Sequence, residues 1–323
     1  MSVLLRVLCL VASVLVWPTS LIAEEFPSRA IKFVVPFPAG GPSDFISRVL
    51  TDRMSTLLGQ PMVIENRAGA SGLNGVASVA KSSPDGYTIA IAPSSNLAMM
   101  VNLRDNMPFH PMQDLALITQ IVSVPEILVV NATVPASTLS EFITLAKAEP
   151  GKLVFASTGI GGMPHMAMEL LELTAGIRLV HVPYTGAAPA VNDLLGGHVQ
   201  TMFADVPVLL GNIQSGKLRA LAIGSRKRLD SLPSLATTAE LGMPQIEADN
   251  WYGLVAPADT PAPIIAKLHS AAAEALHSPE VKDKLSSQGA IAVGNSAEEF
   301  QAYVKNEIDR WGKVIAATGI KIK

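Results

Sequence analysis

Two glycine-rich stretches hold the residues best suited to chemistry. Pro38-Ala39-Gly40-Gly41-Pro42-Ser43-Asp44 follows the apolar run Ile31–Val35 and precedes a helical pattern in Phe45, Ile46, Val49 and Leu50. Ser157-Thr158-Gly159-Ile160-Gly161-Gly162-Met163-Pro164-His165 repeats the arrangement after Leu153–Ala156 and before Met166, Leu170, Leu171 and Leu173. Glycine permits positive φ and close approach of a ligand to the backbone. The start of a helix adds unpaired N–H groups that favour an anion. Ser43, Ser157 and Thr158 contribute hydroxyl donors, and Ser94, Ser95 and Asn96 contribute more at the end of another strand. The chemistry this supports is capture of a carboxylate between two donor sets. Either stretch taken alone also reads as an ordinary strand-to-helix turn with a cap.

Other chemistries fit less well. His110, His165, His181, His198, His269 and His277 show no HExxH pair or other metal spacing. Gly69-Ala70-Ser71-Gly72-Leu73 approaches a nucleophile elbow but lacks the closing glycine and an immediately preceding strand. His165 and Glu169, one helical turn apart, suit a surface ion pair or cap better than an acid–base couple. Gly159-Ile160-Gly161-Gly162 resembles a dinucleotide loop, yet its third glycine is misplaced and the next strand ends in His181-Val182-Pro183-Tyr184, with no acid for a ribose. No catalytic group, metal or cofactor is expected.

The elements that must position these loops alternate. Strands at Ile31–Val35, Pro61–Glu65 and Tyr87–Ala92 enclose helices at Phe45–Leu58 and near Val76–Ala80. Leu117–Val124 and Ile127–Val130 are parted by Pro125, a natural place to pass from one domain to another. The strand–loop–helix pattern then recurs, with further strands at Leu179–Val182, Val199–Ala204, Leu218–Ile223, Pro244–Ala248 and Tyr252–Ala256. Short connections between alternating strands and helices predict parallel sheets flanked by helices. The C-terminal third reads as packing helices, the last opened by a capping box at Ser296–Glu299 and striped by Phe300, Val304, Ile308, Trp311 and Ile315.

Composition narrows the function classes. The chain has 323 residues, enough for about two domains. Its net charge of −3 and 5% aromatic content leave no basic, stacking surface for nucleic acid. Residues 1–23 read as an export signal: Arg6, the apolar run Val7–Val16, and cleavage after Ala23. The single cysteine, Cys9, falls inside that signal, so the exported protein is expected to have neither disulfides nor thiolate sites.

A longer series of motifs then acquires meaning. It comprises Phe33–Asp44, Val63–Gly72, Ser83-Pro84-Asp85-Gly86-Tyr87-Thr88, Ala148–Leu153, Phe155-Ala156-Ser157, His181–Tyr184, Leu218–Ala222 and Trp251-Tyr252-Gly253-Leu254. In this order, over nearly the whole mature chain, the series resembles the substrate-binding proteins of tripartite tricarboxylate transporters, the Bug family. The resemblance implies an α/β, two-lobe periplasmic-binding-protein fold of type II, each lobe a mainly parallel sheet flanked by helices, closing like a flytrap on a small carboxylic acid. Lobe one would comprise residues 26–122 and 250–323, and lobe two residues 123–249. The loop containing Phe37, Ala39, Gly40, Gly41, Ser43 and Asp44 would contact a carboxylate, partly through ordered water. The loop containing Ser157, Thr158, Gly159 and His165 would meet it from the other lobe, and Tyr184 and Asp205 would border the cleft. The implied ligand is a di- or tricarboxylate, an amino acid or an aromatic acid. The other partners would be the membrane components of a tripartite transporter, with the receptor itself a monomer. A secreted enzyme of the same fold acting on a carboxylated substrate, and a ligand sensor for a signalling partner, remain as alternatives.

Overall fold

The computed structural model describes residues 25–321, so the expected export signal and Cys9 lie outside the described residues. The first unit is β1 (Ile31–Val35), α1 (Pro42–Leu58), β2 (Met62–Asn66), α2 (Leu73–Ala80) and β3 (Thr88–Pro93). A π-helical turn at Ser95–Met99 and α3 (Met100–Leu103) follow. The local sequence pattern here suggests only a polar strand end. β4 (Leu115–Asn131) then leads to α4 (Leu139–Ala148), β5 (Val154–Ser157), α5 (Met163–Ala175), β6 (Val180–Pro183) and α6 (Ala187–Leu195). β7 (Thr201–Asp205), α7 (Val206–Gln214) and β8 (Leu218–Ile223) complete that region. β9 (Asp249–Pro257) returns the chain to the first unit, followed by α8 (Ala262–His277), α9 (Pro279–Ser286), β10 (Ile291–Ala292) and α10 (Ala297–Thr318).

The strands run in the order β2-β1-β3-β9-β4-β7-β5-β6, with β8 and β10 also pairing with β4. β1 is parallel to β2 and β3, and β5 is parallel to β6 and β7. Between these parallel groups stand β4 and β9, which run antiparallel to their neighbours. β4 joins the two halves. Its 17 residues pair with β9 from Leu115 to Pro125, then with β7 from Glu126 to Val130. Pro125 does not break the strand as its position suggested. It sits where β4 exchanges partners, so its missing N–H interrupts neither ladder. Two register shifts against β9 bend the strand before that crossing.

Two apolar clusters each lie within one half, and a third, larger one spans both, joining Val34, Leu73 and Val255 to Leu128, Phe142 and Phe155. Ile46, Leu50 and Met54 of α1 pack with Leu268 and Ala272 of α8 against Phe33 and Ile89. Ala190 and Leu194 of α6 and Leu209 of α7 pack against Ile127, Met202 and Ile223. The α10 stripe buries Phe300, Val304, Trp311 and Ile315, with Ile308 partly covered. Its capping box forms as the spacing predicts. Indole N–H groups of Trp251 and Trp311 both donate to Glu307, which satisfies two large buried rings with one carboxylate.

Candidate functional site

A cavity of about 260 Å³ lies between the two parallel groups of strands. Four helices begin on it: α1 through Gly41–Ser43, α5 through Gly162–Pro164, α6 through Gly186–Ala188, and α7 through its capping residue Asp205. Their first-turn N–H groups have no intrahelical acceptors, so their dipoles favour negative charge. Phe37, Met163, Pro189 and Val208 supply apolar wall, and Ser71, Ser95, Thr158 and Thr185 supply hydroxyls. Asp205 is the single charged residue in the lining. The wall can therefore receive a carboxylate on neutral donors and an apolar body on its sides.

The first loop is stiffened from behind. Gly40 takes φ +84°, and its N–H donates to the Asp44 carboxylate at 3.0 Å. Asn66 Nδ2 donates to the other Asp44 oxygen at 3.0 Å and to Phe37 O at 3.1 Å. Arg48 Nε adds a 2.9 Å bond across one helical turn. Burial opposes ionisation of Asp44, but the bonds from Arg48, Gly40 and Asn66 together hold its carboxyl below the usual range. With those acceptors occupied, Asp44 shapes the loop and leaves Gly40, Gly41 and Ser43 at the wall.

The second loop has an aromatic and imidazole backing. His181 stacks on His165 at 4.1 Å and on Phe155 at 4.6 Å. Gly161 N–H donates to His165 Nδ1 at 3.1 Å, which puts the ring proton on Nε2, 3.2 Å from Glu169. His165 is buried while Glu169 stays partly exposed, so the pair reaches from the interior to the surface, whereas the helical spacing suggested a surface pair. Ser157 Oγ donates to Gly159 O at 3.1 Å and lies 2.6 Å from His181 Nε2. Burial and the neighbouring His165 push His181 down to about 3, so its imidazole is neutral at ordinary pH. Gly159 has φ +138°, and a Cβ there would come within 2.7 Å of Ser71 Oγ. Ser71 Oγ donates to Ile160 O at 3.2 Å, a direct bond between the two halves.

Of the residues expected from sequence, Phe37, Ala39, Gly40, Gly41, Ser43, Ser95, Thr158 and Asp205 line the cavity. Asp44, Ser157, Gly159 and His165 stand behind the wall as described. Ser94 donates to Asn250 at 2.9 Å, and Asn96 Nδ2 holds Ser71 O at 3.0 Å. Tyr184 OH donates to Asp193 at 2.6 Å, and burial together with that carboxylate raises the phenol to about 12.

Sequence reasoning missed Asn250 and Tyr252. Asn250 Nδ2 donates to Asp205 Oδ1 at 2.9 Å, and Tyr252 OH donates to Oδ2 at 3.0 Å. Alternation along β9 puts both on one face, and Tyr252 lies in a quoted motif, so a period-of-two reading would have paired them. Ser71 was also visible, as the serine of the incomplete elbow.

Known proteins share this architecture. The model of the tripartite tricarboxylate transporter family receptor matches residues 46–320. Protein BugT of Bordetella pertussis is 39% identical over 302 residues, covering 93% of each chain. The Rhodopseudomonas palustris protein Rpa4515, solved with adipate, superposes with TM-score 0.88 at 33% identity, over 92% of this chain and 99% of that one. MatC from the same species, solved with bound malate, gives TM-score 0.85 at 31% identity, over 90% of this chain and 100% of that one.

Proposed function

The chain belongs to the tripartite tricarboxylate transporter receptor family, and from that premise we propose that its cavity captures a small carboxylic acid between closing lobes. The observation that carries this reading is the convergence of four helix starts on one cavity whose donors are neutral. Each oriented helix end contributes about 0.3–1 kcal/mol to a nearby anion, more when partly buried. Hydrogen bonds to a charged group add about 1.5–3 kcal/mol each. An anion can thus be held without a basic side chain and released when the lobes part.

In this reading lobe one is residues 26–122 with 250–323, and lobe two is residues 123–249. Closure turns on β4 and β9 where they cross between the halves. The protein works as a periplasmic monomer after cleavage near Ala23, passing its ligand unchanged to membrane components of the transporter. Adipate and malate, held by the two relatives, head the candidate ligands.

Calorimetric titration of ligand-free, refolded protein tests this against adipate, malate, aspartate and benzoate. Saturable binding of at least one, with unchanged ligand recovered afterwards, is the expected result. Failure of every carboxylate to bind folded protein would reject the reading, and recovery of a converted product would favour an enzyme.

A further inference from the structure

Behind the cavity wall lies a second carboxyl that nothing above employs. Glu126 occupies the crossing point of β4, directly opposite Asp205 in the β4–β7 register. Residues so paired project from the same face of the sheet. Glu126 is 0% exposed, and neither of its carboxyl oxygens has a hydrogen-bond partner among the described residues. Asp205 differs: both its oxygens accept bonds, from Asn250 and Tyr252.

The ionisable groups around Glu126 are of one kind. Asp205 faces it from β7, while Asp249 and the Tyr252 phenol lie on β9. Nearby cations are committed elsewhere. Arg226, just beyond β8, pairs with Glu247, and Arg310 of α10 pairs with Glu307. The acids flanking Glu126 also line different spaces: Asp205 lines the ligand cavity, and Asp249 lines a cavity of about 850 Å³ containing Ser123, Glu307 and Arg310. Two buried carboxylates in register, with no cation between them, cannot both stay ionised cheaply. The bonded oxygens of Asp205 favour charge there, and the unbonded Glu126 favours its neutral form.

We propose that Glu126 and Asp205 form a proton site wired to the ligand cavity: Glu126 holds a resident proton, and capture of a carboxylate draws a second onto Asp205. That second proton comes from solvent and binds an Asp205 oxygen as ligand charge enters beside it. This deepens the receptor reading and rests on it, because the uptake requires an anion in the cavity. Burial raises the proton affinity of Glu126 and Asp205, with neighbouring carboxylates adding to the effect, in agreement with the geometry.

Infrared spectroscopy of the ligand-free protein tests the resident proton. The Asp205 and Glu172 carboxyls are themselves raised to about 7, so spectra are compared by difference: the wild type should show one protonated-carboxyl band that Glu126→Gln lacks. Glu126→Met, which places an apolar chain of similar length there, serves as the second variant should the amide disturb folding. A wild-type spectrum that loses no band on either substitution overturns the resident proton whatever binds.

Calorimetry with adipate and malate in buffers of different ionisation enthalpy tests the uptake. A buffer-dependent heat is expected, with affinity rising up to about tenfold per pH unit as pH falls toward about 7 and levelling off below it, where Asp205 is already protonated without ligand. Asp205→Asn should remove that dependence. Binding with buffer-independent heat overturns the uptake while leaving the receptor reading intact. Absence of binding to any carboxylate instead rejects the receptor reading and the uptake with it, while the infrared result decides the resident proton separately.

Discussion

The two jaws of the cavity present the same kind of donors and are reinforced by opposite chemistry. Behind the first, a carboxylate gathers Gly40 N–H, Asn66 and Arg48 around Asp44. Behind the second, neutral rings of His181, His165 and Phe155 stack beneath Ser157 and Gly159. An ionised reinforcement is secure wherever its acid stays charged, and a neutral imidazole is secure only where it stays uncharged. The jaws should therefore fail under different insults, although an anion would meet similar backbone groups on each.

Asp44→Ala should break the contrast most severely. It leaves Gly40 N–H and Asn66 without their acceptor and frees Arg48, which is largely solvated. About 2 kcal/mol of stability should be lost, because hydrogen bonds to a charged group contribute about 1.5–3 kcal/mol each and water replaces part of this at the exposed Gly40 and Asn66. Chemical denaturation measures the loss, and affinity for any bound carboxylate should fall with it. An unchanged midpoint would show that the first jaw does not depend on its carboxylate.

Gly159→Ala attacks the second jaw at its closest approach to the first. Its φ of +138° is strained for alanine, and the new methyl would meet Ser71 at 2.7 Å. Strain of about 1–2 kcal/mol is expected, felt mainly in the closed form, so affinity should drop by about tenfold. Paired Ser71→Ala and Gly159→Ala titrations check this. If removing the Ser71 hydroxyl restores none of the binding, the clash does not explain the loss.

These reinforcements differ in how far sequence could reveal them. Gly40, Gly41 and Gly159 are local punctuation, and the helices after them follow from apolar spacing, so both jaws were legible. Ser296 and Glu299 were equally plain, because a capping box is written within four residues. Glu126 was not: one acid in the apolar run Ile121–Val130 acquires significance only when register sets Asp205 across from it. The helical segment from Ser95 to Leu103 was missed because Ser94, Ser95 and Asn96 resemble a polar strand end, while their burial comes from tertiary packing. Asn250 and Tyr252 reach the cavity because β9 runs between β3 and β4, a pairing that no local pattern encodes.

Acid separates the jaws without mutation. His181 is neutral in the folded protein, with its proton affinity depressed from 6.5 to about 3. Between those values the unfolded chain binds the extra proton, so stability is complete above about pH 6.5 and declines as pH falls toward 3. Asp44 has a lowered proton affinity, so its contribution persists above the ordinary value of 3.8 and fades only below it. By pH 5 the second jaw should have lost about 1 kcal/mol, after discounting for solvent around the half-buried ring, while the first remains whole. Melting curves of wild type and His181→Phe across that interval should converge as pH falls.

Arg48→Met gives the smallest effect and the sharpest statement about the first jaw. The Arg48 side chain is 58% exposed, whereas that of Asp44 is 5% exposed, so their ion pair is mostly screened on one side. Such a pair is worth about 0.5 kcal/mol, below the loss expected for Asp44→Ala. Methionine keeps the helical stem and removes only the charge and its two bonds to Asp44. Stability at neutral pH should therefore barely change, while the acid-side transition shifts upward because Asp44 is protonated more easily without Arg48. A denaturation midpoint as low as that of Asp44→Ala would move the first jaw's strength from its part-buried backbone and amide bonds to the surface ion pair.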